Sequence, residues 1–492
     1  MLGAAFEREQ TLMISLWAKR TTLAFGAALA LAHCGGTQSS GDANAVPADA
    51  TARTATVTFH RDVVPILQKH CYGCHAEGGI APFALTSYAG AKAMSGPIAA
   101  QTHDRIMPPW GAAPSESCKP LRPFKYDNSL SEQQIATLAT WHKEGAVEGD
   151  PKDAPPPMAA RTLNLQDPQM TLETSGYTMT GAGSDQMRCF VLDPKLTERK
   201  YLNGLGVIPG ELGIVHHALI FADPKGEGLK RAKAAGTADQ YDCFGGPQID
   251  NPRMIGTWVP GAVPYEFPSN IGTVLEAGTS IVMQVHYHAD GKGPRVDKTK
   301  IQMRFLADKP EYYARSQLIG NFTGRAPNDV VTDGLQPGAD GKVEFLIPPG
   351  ATEHQEVMKF TLPKILSAAG GVYIGGLGGH MHYVGVREEV RLKRAAPQNG
   401  EPADECLLNI PRWDFDWQQG FSYDTASVEQ LPTVSGDDEL YIKCTYDNST
   451  KNPKMSRLLR ESGMSAPQPI GMGEGTLDEM CLAGFVFLSK FP

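Results

Sequence analysis

The sequence predicts a multidomain chain, a small all-α domain followed by two all-β sandwich domains. Three observations carry that expectation. The chain has 492 residues, too many for one compact core. Its helical signals gather between residues 56 and 149. Beyond a proline-rich break at 150–160, short apolar runs alternate with turns drawn from the 52 glycines and 37 prolines of the chain.

Residues 1–34 read as a signal or lipoprotein-like segment. Lys19 and Arg20 precede the apolar stretch TLAFGAALALA, far short of the roughly 20 residues a bilayer span needs. Cys34, in LAHCGG, stands where a lipidated cysteine would stand, and simple cleavage nearby is the other reading. Residues 35–55 are rich in Gly, Ser, Thr, Ala and Asp and form a flexible tether. Within 56–149, Val63, Val64, Ile66 and Leu67 make an apolar helix face, Ser131 and Gln134 a capping box, and Gly145 a C-cap. DPKDAPPP opens the linker at 150–160. The runs at 214–221, 280–288, 342–348, 385–393, 439–446 and 481–488 have strand character. They divide into sandwiches at 161–315 and 316–492.

Composition narrows the partners. A net charge of -9 without a basic run excludes nucleic acid. Contact with a membrane is expected only through a lipid anchor at Cys34. Of nine cysteines, six (Cys118, Cys189, Cys243, Cys406, Cys444 and Cys481) fall outside the signal and the heme motif described next. An even number in an exported chain implies disulfides, in the periplasm or cell envelope.

Cys71-Tyr72-Gly73-Cys74-His75 is a C-x-x-C-H sequence. Two thiols at this spacing can form thioethers with heme vinyl groups, and the adjacent His then reaches the iron. The export signal and the following His weigh against a zinc half-site or a redox dithiol. The second axial ligand should be a soft Met or another His. Met107 is the candidate because Pro108 and Pro109 stiffen the chain after it; Met94 and His103 are the alternatives. The stretch from FHRDVVPILQKHCYGCH to MPPW resembles the small cytochrome c domains of bacterial multidomain proteins. That resemblance implies heme c held by Cys71, Cys74, His75 and Met107.

Of thirteen histidines, six form three short pairs: His216 with His217, His286 with His288, and His380 with His382. Residues two apart on a strand share a face, so His380 and His382 can chelate one metal. His216 and His217 point apart in a flat strand, so joint ligation requires a bulge. Imidazole suits copper, zinc, iron and nickel, and a thioether such as that of Met480 selects Cu(I). Read one at a time, an isolated His pair is more often structural, Met480 is core and His354 is surface.

The ordered set IVHHALIF, MQVHYH, IPPG, GGHMHYVG and LDEMC resembles the type II, ascorbate-dependent copper monooxygenases. Dopamine β-monooxygenase and peptidylglycine α-hydroxylating monooxygenase belong to that family. The likeness covers roughly residues 160–492. It implies jelly-roll-like sandwiches and two copper ions. One ion would be held by His216, His217 and His286 and pass electrons. The other, held by His380, His382 and Met480, would be catalytic. His288 becomes a neighbour rather than a ligand. The resemblance also implies a Cys444–Cys481 disulfide; Cys189–Cys243 is a weaker expectation, and Cys118 and Cys406 stay unassigned.

The expected activity is hydroxylation of a C–H bond in a small organic substrate by O2, with electrons from an external donor. That donor is ascorbate or the fused heme, expected to serve the His216/His217/His286 copper. The peptide-hydroxylating relatives grip a carboxylate with an arginine and a tyrosine where this chain has Gly378 and Gly484. A peptidylglycine substrate is therefore disfavoured. Trp413, Phe415 and Trp417 read either as packed core or as the lining of an apolar pocket. The alternative function is an exported heme/copper electron-transfer protein without hydroxylase activity.

Overall fold

A computed structural model describes residues 56–491 except 78–80, 158–163, 181–185, 245, 251, 261, 289–292, 322–333, 369–370, 399, 416 and 474–476. The signal segment, Cys34 and the tether lie outside the described residues. The described chain is mostly β, and the helices of its first hundred residues form a core of their own.

A π-helical turn, Phe59–Val63, runs into α1 (Val64–His70), which delivers the chain to Cys71. α2 (Tyr88–Ala93), α3 (Ser95–His103) and α4 (Glu132–Lys143) follow. The capping box of α4 forms as expected: the Ser131 hydroxyl accepts from Gln134 N–H and the Gln134 side chain accepts from Ser131 N–H. Gly145, at φ +85°, takes the left-handed position just past the helix. Phe59, Leu67, Leu138 and Trp141 are buried together. The segment closes on itself, since Phe59 N–H donates to the Val147 carbonyl at 2.9 Å.

Among the described residues, three large sheets and two of two strands build the rest. A ten-stranded sheet runs, along its main path, through Met170–Glu173, Lys300–Leu306, Lys200–Ile208, Ile271–Leu275, Tyr312–Asn321, Cys481–Ser489, Val372–His380 and Phe421–Ser422. A five-stranded sheet, centred on Ser280–Tyr287 with Val215–Asp223 beside it, shares a core with the first half of this sheet. A second five-stranded sheet, containing His354–Thr361, Glu439–Tyr446 and Gly385–Lys393, does so with the other half. The expected boundary at 315 falls inside Tyr312–Asn321. That strand pairs in parallel with Ile271–Leu275 and antiparallel with Cys481–Ser489, so one sheet joins the two sandwiches.

Strand chemistry explains the layers. In Glu439–Tyr446, Leu440, Ile442, Cys444 and Tyr446 are buried and alternate with the more exposed Tyr441 and Lys443. Ser280–Tyr287 is buried on both faces, because helix Glu227–Ala234, through Gly228 and Ala232, covers the side on which Val282 lies with Val191 and Phe221. This accounts for apolar residues on successive positions, Ile281, Val282 and Met283, where a half-exposed strand would alternate. The run at 342–348 shrinks to the two-residue strand Leu346–Ile347, with Ile347 buried and Val343 exposed. Two helices, Glu227–Ala234 and Pro453–Ser462, and the single-turn Ile365–Ala368 interrupt the β region where only strands and turns are expected.

Three disulfides form. Cys444–Cys481 and Cys189–Cys243 match expectation, and Cys118 pairs with Cys406. Such bridges belong to an oxidising compartment. Among the described residues no helix is long and apolar enough to cross a membrane.

Cys118–Cys406 fastens the loop between α3 and α4 to the C-terminal sandwich. Along the same seam, Ala113 N–H donates to the Asn409 carbonyl at 3.0 Å and Lys125 N–H to the Ser422 carbonyl at 2.8 Å. Arg122 pairs with the buried Glu405. Trp110 packs edge-on against Phe421, and Phe124 stacks on Tyr423.

Candidate metal centres

The bulge demanded by His216 and His217 is present. His286 pairs with His217, and the next residue, Tyr287, pairs with Val215, so His216 is the extra residue on its strand. The three imidazoles thereby converge. His217 Nδ1 lies 3.2 Å from His216 Nδ1 and 3.4 Å from His286 Nδ1. Nitrogens bound tetrahedrally to one ion at about 2.0–2.1 Å stand roughly 3.3 Å apart. The donor set thus fits a single imidazole-ligated metal. His288 is exposed, its ring 6.4 Å from that of His216, and stands beside the trio rather than in it.

A buried carboxylate fixes this geometry. Asp297 accepts from Gly210 N–H at 2.9 Å, Glu211 N–H at 3.0 Å and the Tyr287 hydroxyl at 2.8 Å. One side chain therefore anchors both the turn before His216 and the residue after His286. Burial, then Asp297, raises the Tyr287 phenol above its ordinary value and keeps it a donor.

His380 and His382 share a face at the end of Val372–His380, with ring centroids 5.2 Å apart. Each Nδ1 is engaged: that of His380 with Gln418 Oε1 at 2.6 Å, that of His382 with the Asp478 carbonyl at 2.9 Å. Such partners fix the tautomer and leave Nε2 as the ligating nitrogen. His380 pairs with Leu482, so Met480, two residues earlier, belongs to the same sheet face and is buried. Glu479 ties the two segments, accepting from His382 N–H at 2.7 Å, Val384 N–H at 2.8 Å and Met480 N–H at 3.2 Å. Desolvation, then the facing His382, push the His380 imidazole down to about 4, which keeps it neutral and ligand-ready. A thioether added to these two imidazoles would favour Cu(I) over harder ions.

Behind His380 lies Glu388, 1% exposed, its carboxylate facing the His380 backbone N–H. Burial pushes its carboxyl well above the ordinary range, opposed by the His380 N–H. An acid raised in the folded state holds a proton that the unfolded chain has lost. Its contribution to stability is therefore present near pH 4 and falls as pH rises toward the folded value. Glu388→Gln should flatten the pH profile, matching the native thermal midpoint near pH 5 and exceeding it at pH 8. Parallel profiles in thermal unfolding would show that Glu388 is not held neutral.

In the helical segment, Cys71 and Cys74 are not joined in a disulfide and lie on one turn in which His75 N–H donates to the Cys71 carbonyl at 2.9 Å. His75 Nδ1 meets the Phe83 carbonyl at 3.1 Å, so Nε2 is again the outward nitrogen. Burial pushes the Cys71 thiol up to about 12. A thiol held protonated by burial is a poor thiolate nucleophile or thiolate metal ligand. Met94 packs against the helical core and His103 is an exposed residue bonded to Asp104. Met107 lies past α3, half-buried, where the chain turns toward the C-terminal sandwich.

Some expectations change. His354 is not a surface residue: its side chain is buried against Glu356, at 2.7 Å. Trp413 is buried and donates to the His382 carbonyl at 3.1 Å, while Phe415 stacks on Tyr383. Gln418, Asp478 and Glu479 carry roles that local sequence does not signal, because each acts on a neighbour remote in the chain or through its backbone. Gly378 and Gly484 stand directly opposite each other on paired strands.

No family model matches the chain, and no curated protein matches it. Among solved structures, the major capsid protein P2 from bacteriophage PM2 aligns over 65% of this chain and 97% of its own, at 8% identity and a TM-score of 0.22, a superposition too loose to bear on fold or function.

Proposed function

We propose that this chain is an exported copper monooxygenase with two jelly-roll-like sandwich domains and a fused cytochrome c domain. It would hydroxylate a small organic substrate: R–H, O2, two electrons and two protons become R–OH and water. Copper would be held by His216, His217 and His286 at one centre and by His380, His382 and Met480 at the other. Heme c would be held by Cys71, Cys74, His75 and Met107. Bound copper supplies oxygen activation and the heme one-electron transfer; the chain's residues hold, orient and shield these groups. The donors drawing electrons through the heme are external, ascorbate among them.

The observation that supports this reading most is the convergence of His216, His217 and His286, with His217 Nδ1 3.2 and 3.4 Å from the other two and all three donors within 4.8 Å of one another, from a bulge that adjacent histidines need only if both serve one ion. The test is metal analysis with a pyridine hemochrome assay on protein matured in a heme-attaching host. About two coppers and one heme per chain are expected. A chain that takes up zinc in preference to copper, or no heme, would contradict the reading.

A further inference from the structure

We infer that the loop at 105–111 of the helical segment positions His380 and His382 for their metal, acting through the loop at 412–421. The inference rests on the two-centre reading above and adds a new class of residue to it.

The 412–421 loop holds both histidines from behind. Trp413 donates to the His382 carbonyl, and Gln418 accepts from His380 Nδ1. The Gln418 amide has a defined orientation, because its nitrogen donates to the Phe415 carbonyl at 3.2 Å and its oxygen is left for the imidazole. The loop lies on the strand that carries His380. A Cβ on Gly378 would come within 2.8 Å of the Gln419 carbonyl, and one on Gly376 within 2.7 Å of the Phe421 carbonyl. Where the carboxylate-gripping relatives carry an arginine, this chain has loop backbone.

The outer side of the loop is held by the helical segment. Gln419 donates to the Pro109 carbonyl at 3.2 Å, Arg412 donates to the Arg105 carbonyl at 3.0 Å, and Trp110 packs on Phe421 with ring centroids 5.0 Å apart. Pro109, Trp110, Trp413 and Trp417 line the shallow gap that remains. The contacts from 105–111 thus reach the His380/His382 centre through one intervening loop. Outer partners of ligating histidines typically change metal affinity by about 10–100-fold when removed. Residues one layer further out should act in the same direction.

The test is a Cu(I) competition titration, with a chromophoric chelator, of the full chain carrying His217→Ala and His286→Ala, so that only the second centre remains. Gln418→Leu should weaken binding by about 10–100-fold and Gln418→Glu, which keeps the acceptor, should restore it. Gln419→Ala, Trp110→Leu and Gly378→Ala should each weaken it by roughly tenfold, the last by displacing the loop without touching a ligand or the seam. Unchanged affinity in all three, with Gln418→Leu still weak, sinks the inference while the copper centre stands. A parent chain that binds no Cu(I) sinks both together.

Discussion

Met480→Ala should yield a chain that keeps copper at His216, His217 and His286 but has lost substrate-dependent oxygen uptake by more than about 100-fold. The estimate starts from outer partners, which are worth roughly 10–100-fold, so a direct ligand should be worth more. Two imidazoles without the thioether lose the soft donor that favours Cu(I). Met480 is 6% exposed, so truncation also opens a cavity, costing about 2–5 kcal/mol. Met480→Leu separates the effects, because it keeps the volume and removes only the sulfur. Both variants should fail in an oxygen electrode, while Met480→Leu unfolds near the native midpoint. Full oxygen uptake in Met480→Leu would favour an electron carrier over a hydroxylase.

The parts of this centre differ in how legible they are. His380 and His382 declare themselves because a strand repeats every two residues, and the alternation needs no tertiary knowledge. His216 and His217 are harder: adjacency means divergence unless a bulge intervenes, and the bulge depends on register with a strand some seventy residues away. Gln418 is silent, since a glutamine in a loop carries no periodicity and its partner is His380. Helix Pro453–Ser462 was readable, with Asn452 as N-cap, Pro453 at the first position and Gly463 in the left-handed position after it. The neighbouring strand runs mask it. The sheet shared by both sandwiches was not readable, because two residues in parallel pairing, Tyr312 with Ile271 and Tyr313 with Gly272, leave no mark on either strand's pattern.

Removing the Cys118–Cys406 bridge should destabilise the chain more than any other change outside its hydrophobic cores. The bridge closes 288 residues, and chain-entropy arguments assign loops beyond about 100 residues roughly 4–5 kcal/mol. Cys189–Cys243 lies inside that loop and already restricts part of it, so Cys118→Ser with Cys406→Ser should cost about 3–5 kcal/mol. The loss should not fall evenly. The helical segment has its own core around Phe59, Leu67 and Trp141, and the C-terminal sandwich keeps Cys444–Cys481. What depends on the bridge is the seam, where Asn409, Ser422, Arg122 and Trp110 hold the two together by hydrogen bonds, the ion pairs of Arg122 with Glu401 and Glu405, and ring packing. Hydrogen exchange on the double variant should therefore show faster opening at 105–126 and at 404–423, with α4 unchanged, and denaturant unfolding should split into two steps. Uniform acceleration across the chain would mean that the bridge acts only by lowering the entropy of the unfolded chain and that the seam holds without it. The split pattern would mean that the loop gripping His380 is the first element released when the bridge is gone.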